Sequence, residues 1–137
     1  MENKPKNKKT ESIIDKKIEG IEEIASNILE EIKKIPEGNS GLVIIKGPNI
    51  GDRFLMKKSK LTIGRNLESD IFLDDITVSR KHAVIKRSGN GFLIKDSGSL
   101  NGSYVNGEIV DNVILKNGDR IQIGKYIFLF FYTGRKD

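Results

Sequence analysis

The feature that most constrains this chain is its rhythm after Gly41. Short runs rich in Val, Ile, Phe and Leu succeed one another as far as Tyr132, separated by turn signals such as Gly47-Pro48-Asn49, Ser88-Gly89-Asn90-Gly91, Asn106-Gly107 and Asn117-Gly118. Asn-Gly is the strongest short hairpin signal, because both central residues of a type I′ turn take positive φ. The spacing predicts strands over 42–46, 53–57, 60–63, 71–73, 83–86, 92–95, 104–105, 109–110, 113–115, 120–123 and 126–132. Many short strands at near-regular spacing form a β-sandwich or barrel, so the body reads as all-β. No stretch of this region has a helical period, which excludes parallel α/β architectures. Strands this short leave 64–70, 74–82 and 96–103 in loops, where binding residues usually sit.

Before Pro36 the pattern is different. Ile14, Ile18, Ile21, Ala25, Ile28, Ile32 and Ile35 recur in alternating steps of four and three, an a/d seam. The seam predicts an amphipathic helix over about 12–35, with Ser12 and Asp15 as its capping start and Pro36 and Gly38 as its stop. Gly20 interrupts it at a cost of ~1 kcal/mol, so alone in water the helix is marginal. It needs a surface: a second copy of the chain, the folded body, or a partner. The organisation expected is a tail over 1–40, with a disordered lysine-rich start and a linker at 36–40, then a domain over 41–134 and an end at 135–137.

Composition narrows the chemistry. The chain of 137 residues has no cysteine and one histidine, His82. A disulfide framework, a thiolate or multi-histidine metal site and a cysteine nucleophile are therefore excluded. No apolar run reaches the ~18 residues of a membrane span, and the charged N-terminus has no apolar stretch behind it, so the chain reads as cytoplasmic. P-loop, HExxH, calcium-loop and GxSxG patterns are absent. Ser79 and His82 lack a third orienting group, so the chain reads as no enzyme, and no cofactor is implied. Residues 1–40 carry 8 Lys and Arg against 9 Asp and Glu, whereas residues 41–137 carry 16 against 10. The excess positive charge thus sits on the body and suggests an anionic partner.

Three loop clusters gather groups suited to an anion: Gly64-Arg65, Ser79-Arg80-Lys81-His82, and Asp96 through Gly102. Arginine offers a planar, permanently charged fork for phosphate, and serine hydroxyls with backbone N–H groups complete an oxyanion cradle. Asn101 can donate and accept at once, which suits the backbone of an extended peptide. In order and spacing, Gly64-Arg65, Ser79-Arg80-x-His82, Asp96-x-x-Ser99-x-Asn101-Gly102 and Asn117-Gly118-Asp119-x-Ile121-x-Ile123-Gly124 resemble the forkhead-associated (FHA) domain over residues 41–134. The resemblance implies a β-sandwich of about eleven strands that binds phosphothreonine peptides through loops at one end. It also implies phosphopeptide contacts at Arg65, Ser79, Arg80, Ser99, Leu100 and Asn101, with Gly64, His82 and Gly102 architectural. The position of Leu100 is often threonine in the family; here it carries no hydroxyl.

The stretches 71–82, 98–106 and 117–125 look like the small actinobacterial FHA regulators of glycogen accumulation, 2-oxoglutarate dehydrogenase and glutamate enzymes. That resemblance implies a signalling adaptor downstream of a Ser/Thr protein kinase, with phosphothreonine proteins and those metabolic enzymes as partners. The family's tail carries a double threonine for the kinase. This chain lacks it, and Thr10 is the one tail threonine, hence the candidate phosphorylation site. Two other readings compete. In one, the helix organises an oligomeric scaffold around a degenerate FHA body. In the other, the basic body binds nucleic acid; against it, Phe92, Tyr126, Phe128 and Phe130 fall in alternating strand positions that read as core rather than as stacking platforms.

Overall fold

A computed structural model describes the backbone of residues 8–134 and the side chains of residues 20–134. Eleven strands form two sheets. In chain order they are β1 (Ser40–Lys46), β2 (Arg53–Leu55), β3 (Lys60–Gly64), β4 (Ile71–Phe72), β5 (Ala83–Ser88), β6 (Gly91–Asp96), β7 (Ser103–Val105), β8 (Glu108–Val110), β9 (Asn112–Ile114), β10 (Arg120–Ile123) and β11 (Tyr126–Tyr132). The six-stranded sheet has the order β2-β1-β11-β10-β7-β8, and the five-stranded sheet β4-β3-β5-β6-β9. Only β3 and β4 pair in parallel. Between the sheets lies the main core, where Leu42, Ile44, Ile63, Ile85, Ile94, Ile121, Phe128 and Phe130 are buried. The all-β sandwich read from the spacing is the fold observed. Asn106 and Gly107 both take positive φ, as a type I′ turn between β7 and β8 requires. Asn117-Gly118 makes no hairpin: it lies in the crossing from β9, in one sheet, to β10, in the other.

The N-terminal helix, α1, spans Lys8–Ile32. It starts earlier than its seam suggested, so Ser12 lies inside the helix and does not cap it. Lys8, Lys9 and Glu11 are good helix formers, and no glycine or proline stands among them to stop the helix. The disordered start expected over 1–11 therefore gives way to helix from Lys8, while residues 1–7 lie outside the described residues. The helix also ends sooner than expected. Lys34 and Ile35 donate to the carbonyls three residues back, a tightening before Pro36, which has no N–H to continue the ladder.

The surface the seam needs is the body. Ala25, Ile28 and Ile32 pack on Val43, Ile45, Leu129 and Phe131, all buried, with Ile21 and Ile35 at the margins. In β1 and β11 one alternate set of side chains faces the sandwich core and the other faces α1, so both strands are apolar on both faces. Arg120 donates to Glu22 at 2.8 Å, and Arg53 pairs with Glu31, pinning the helix at two points. No helix among the described residues is long and apolar enough to cross a membrane.

Candidate functional site

The loops β3–β4, β4–β5 and β6–β7 meet at one end of the sandwich, joined by backbone bonds. Arg65 N–H donates to the Ser79 carbonyl at 2.9 Å, and Asn66 N–H to the Arg80 carbonyl at 3.2 Å. Gly64 makes this crossing possible. A Cβ there would overlap the Arg80 carbonyl oxygen and fall 2.9 Å from its carbon. Arg65 is exposed, and its Nε donates to the Val78 carbonyl at 3.0 Å, which orients the guanidinium and leaves the two Nη groups for a ligand. Arg80 is exposed beside it.

Ser79 is half-buried. Its hydroxyl oxygen accepts the Leu100 N–H at 2.9 Å, which leaves the O–H proton for an anion. The Leu100 side chain is 88% exposed and makes no core contact, so that residue serves the loop through its backbone. Asn101 donates through Nδ2 to the Thr77 carbonyl at 3.1 Å, leaving Oδ1 and the second amide hydrogen for an extended chain.

His82 is fully buried under these loops. Its Nδ1 accepts the Ser79 N–H at 3.0 Å, so the ring proton sits on Nε2 and is donated to the Gly102 carbonyl at 2.8 Å. One imidazole thus ties the Ser79 loop to the Asn101 loop. Gly102 holds φ +85, and a Cβ on it would come within 2.9 Å of the Ile109 side chain. Ser99 turns into its own loop: its hydroxyl donates to Asp96 Oδ1 at 2.6 Å and accepts the Gly102 N–H at 2.9 Å. With its proton spent, Ser99 has no donor to offer an anion, unlike Arg65 and Ser79.

Sequence reasoning placed Asp96 in the loop motif without a supporting role, and it gave no role to a second cluster. Asp96 accepts the Ser99 and Ser103 hydroxyls at 2.6 Å each and the Gly98 and Ser99 N–H groups at 2.9 Å each. Burial pushes its carboxyl pKa up, and these four hydrogen bonds together pull it below the ordinary value. An Asp two and three residues before a Gly-Ser pair is a local turn signal that was there to be read. The second cluster joins Asp75, Thr77 and Lys125. Lys125 Nζ lies 2.6 Å from Asp75, whose other oxygen accepts the Thr77 hydroxyl at 2.5 Å. The Lys125 ammonium, then the Thr77 hydroxyl and N–H, lower the Asp75 pKa to about 2. This latch holds the Thr77 carbonyl that anchors Asn101. A side chain at Gly124 would overlap the Thr77 hydroxyl.

The end of the sandwich therefore presents a guanidinium, a hydroxyl proton and a carboxamide on a braced frame, an arrangement for binding an anion beside an extended chain. Known proteins resemble it. The family model of the FHA domain matches residues 61–124. The chain is 50% identical over 105 residues to the glycogen accumulation regulator GarA of Mycolicibacterium smegmatis, covering 77% of this chain and 66% of that protein. It is 49% identical over 106 residues to the oxoglutarate dehydrogenase inhibitor of Corynebacterium jeikeium, covering 77% and 73%. The match to the first regulator thus spans just under two thirds of its length. Among solved structures, one described as a structural and functional analysis of phosphothreonine-dependent FHA domain interactions superposes with a TM-score of 0.62 at 28% identity, covering 68% of this chain and 95% of that one.

Proposed function

This chain belongs to the FHA domain family, and from that premise we propose that it is a phosphothreonine-reading regulator, a binding module and not an enzyme. Arg65 and Ser79 hold the phosphate, with Arg80 beside them, and Asn101 holds the peptide backbone. The observation that carries this reading is the Ser79 hydroxyl, fixed by the Leu100 N–H with its own proton left over beside the Arg65 fork. Gly64, His82 and Gly102 set the frame, and Ser99 belongs with them by its hydrogen bonds. Leu100 contributes through its backbone N–H, which fixes the Ser79 hydroxyl, while its side chain stays exposed. The relatives named for glycogen accumulation and for inhibition of oxoglutarate dehydrogenase support a metabolic output, and a phosphothreonine ligand requires a Ser/Thr protein kinase upstream to make it.

Thr10 is the phosphorylation candidate in the tail. It lies in the first turn of α1, so it reaches the loops as an extended ligand only if that turn unwinds. The described part of the isoleucine seam is spent on the sheet, so self-association through the helix would rest on Ile14 and Ile18, whose side chains lie outside the described residues. The test is capture from a lysate, with and without phosphatase treatment, by the full chain and by its Arg65→Ala variant. Phosphatase-sensitive capture lost in the variant supports the reading, and phosphatase-resistant capture by both contradicts it. Adding the full chain to purified 2-oxoglutarate dehydrogenase complex should lower its turnover; unchanged turnover removes the metabolic part.

A further inference from the structure

The outer face of the five-stranded sheet carries an uncompensated row of lysines. Leu61, Ile63, Ala83, Ile85 and Ile94 face the sandwich core, so by alternation Lys60 of β3, Lys86 of β5 and Lys95 of β6 stand on the opposite face. Lys60 and Lys86 are direct cross-strand partners, and Lys95 lies on the diagonal from Lys86. Like charges placed opposite each other destabilise a sheet. Four other cations of the body, Arg53, Lys58, Arg120 and Lys125, each have a carboxylate partner. Lys60, Lys86, Lys95 and the neighbouring Lys81 have none among the described residues. All four line one groove of about 560 Å³. Its carboxylates are Glu68 and Asp96, the latter spent on its own loop.

We propose that this groove docks an acidic, extended segment of a protein partner, as a second contact that does not use Arg65, Ser79 or Asn101. Four lysines around one groove create a positive potential that opposes folding and favours an anionic ligand. A polypeptide fits better than the other anions. No aromatic side chain lines the groove to stack on a base. Its apolar lining, Ile63, Ala83 and Val84, is buried and offers nothing to insert into lipid. At its upper end Lys81 directly follows Arg80, so a segment in the groove lies next to whatever the loops hold. The groove uses neither Arg65 nor Ser79, so this inference stands or falls apart from the phosphothreonine reading.

The test is an amide NMR titration of the full chain with an unphosphorylated hexaglutamate peptide. Shifts should concentrate at Lys60, Lys86 and Lys95, and binding should weaken as salt rises. The triple variant Lys60→Gln, Lys86→Gln, Lys95→Gln should bind about tenfold more weakly, the scale of three exposed ion pairs lost together. Lys86→Gln alone should lose a smaller factor, and it serves if the triple variant misfolds. Arg65→Ala should bind the peptide like the unaltered chain. Shifts confined to Arg65, Ser79 and Asn101, or equal binding by the lysine variants, would overturn the proposal. So would tighter engagement of this face by an oligothymidine strand or by phosphatidylserine vesicles than by the peptide.

Discussion

Ser79 Oγ accepts the backbone N–H of Leu100 at 2.9 Å, across 21 positions of sequence. The contact joins the two loops that flank the proposed phosphate position, and it uses the one polar group that any residue but proline supplies at position 100. Ser79→Ala removes a hydrogen bond to the charged ligand and leaves the Leu100 N–H without its partner. Phosphothreonine-peptide binding should fall by about 1.5–3 kcal/mol by calorimetry. Leu100→Thr keeps the N–H and adds a hydroxyl at an exposed position. It should bind the peptide at least as tightly as the unaltered chain, with folding stability unchanged within about 0.5 kcal/mol. Weaker binding by the threonine variant would place the Leu100 side chain in contact with the ligand.

Gly64→Ala tests the loop crossing. The added methyl overlaps the Arg80 carbonyl, and backbone cannot swing aside as a side chain can. Thermal unfolding should show a loss of about 1–3 kcal/mol, together with weakened phosphopeptide binding. A variant as stable as the parent would mean that the loops do not cross as described.

The helix makes two opposite predictions. Ile28→Ala empties part of the buried layer beneath α1 and should cost about 2–5 kcal/mol in urea unfolding. Gly20→Ala should gain about 0.5–1 kcal/mol, because a Cβ at Gly20 meets nothing within 4 Å. A neutral Ile28→Ala would show that the helix does not rest on the sheet in solution.

Acid should loosen the loops in a definite window. The carboxyls of Asp75 and Asp96 are held below their ordinary value of 3.8, Asp75 at about 2. A carboxyl depressed in the folded state stabilises it fully above the unfolded value, and this is lost as pH falls through the folded one. The urea midpoint should therefore drop between about pH 5 and about pH 2. Asp96→Asn, which is destabilised throughout, should show a shallower drop. An identical slope in the variant would remove Asp96 from the account.

These outcomes depend on features of unequal legibility in the sequence. Strand positions were legible because alternation and turn residues are local. So was the Asn106-Gly107 hairpin. The unbroken apolar runs Leu42–Ile45 and Ile127–Phe131 also held a signal, since strands apolar on both faces need a second covering layer, and the isoleucine seam was the available one. The Asp75–Lys125 latch was not legible. Its members stand 50 positions apart, on loops of the two different sheets, and the packing of one sheet on the other that brings them together leaves no trace in local spacing. Ser99 shows the same limit: its motif position placed it at the site, but only the geometry of Asp96 and Gly102 reveals that its proton is already used.

Whether Arg65 and Ser79 read a phosphorylated threonine is tested most directly by calorimetry of the full chain with one peptide in phosphorylated and unphosphorylated forms, repeated with Arg65→Ala and Arg65→Lys. The phosphorylated form alone should bind, and Arg65→Ala should lose about 2–5 kcal/mol. Arg65→Lys should not restore it, because lysine lacks both the fork and the Nε–H that the Val78 carbonyl accepts. Equal binding of the two peptides, or full binding by Arg65→Ala, would contradict the account.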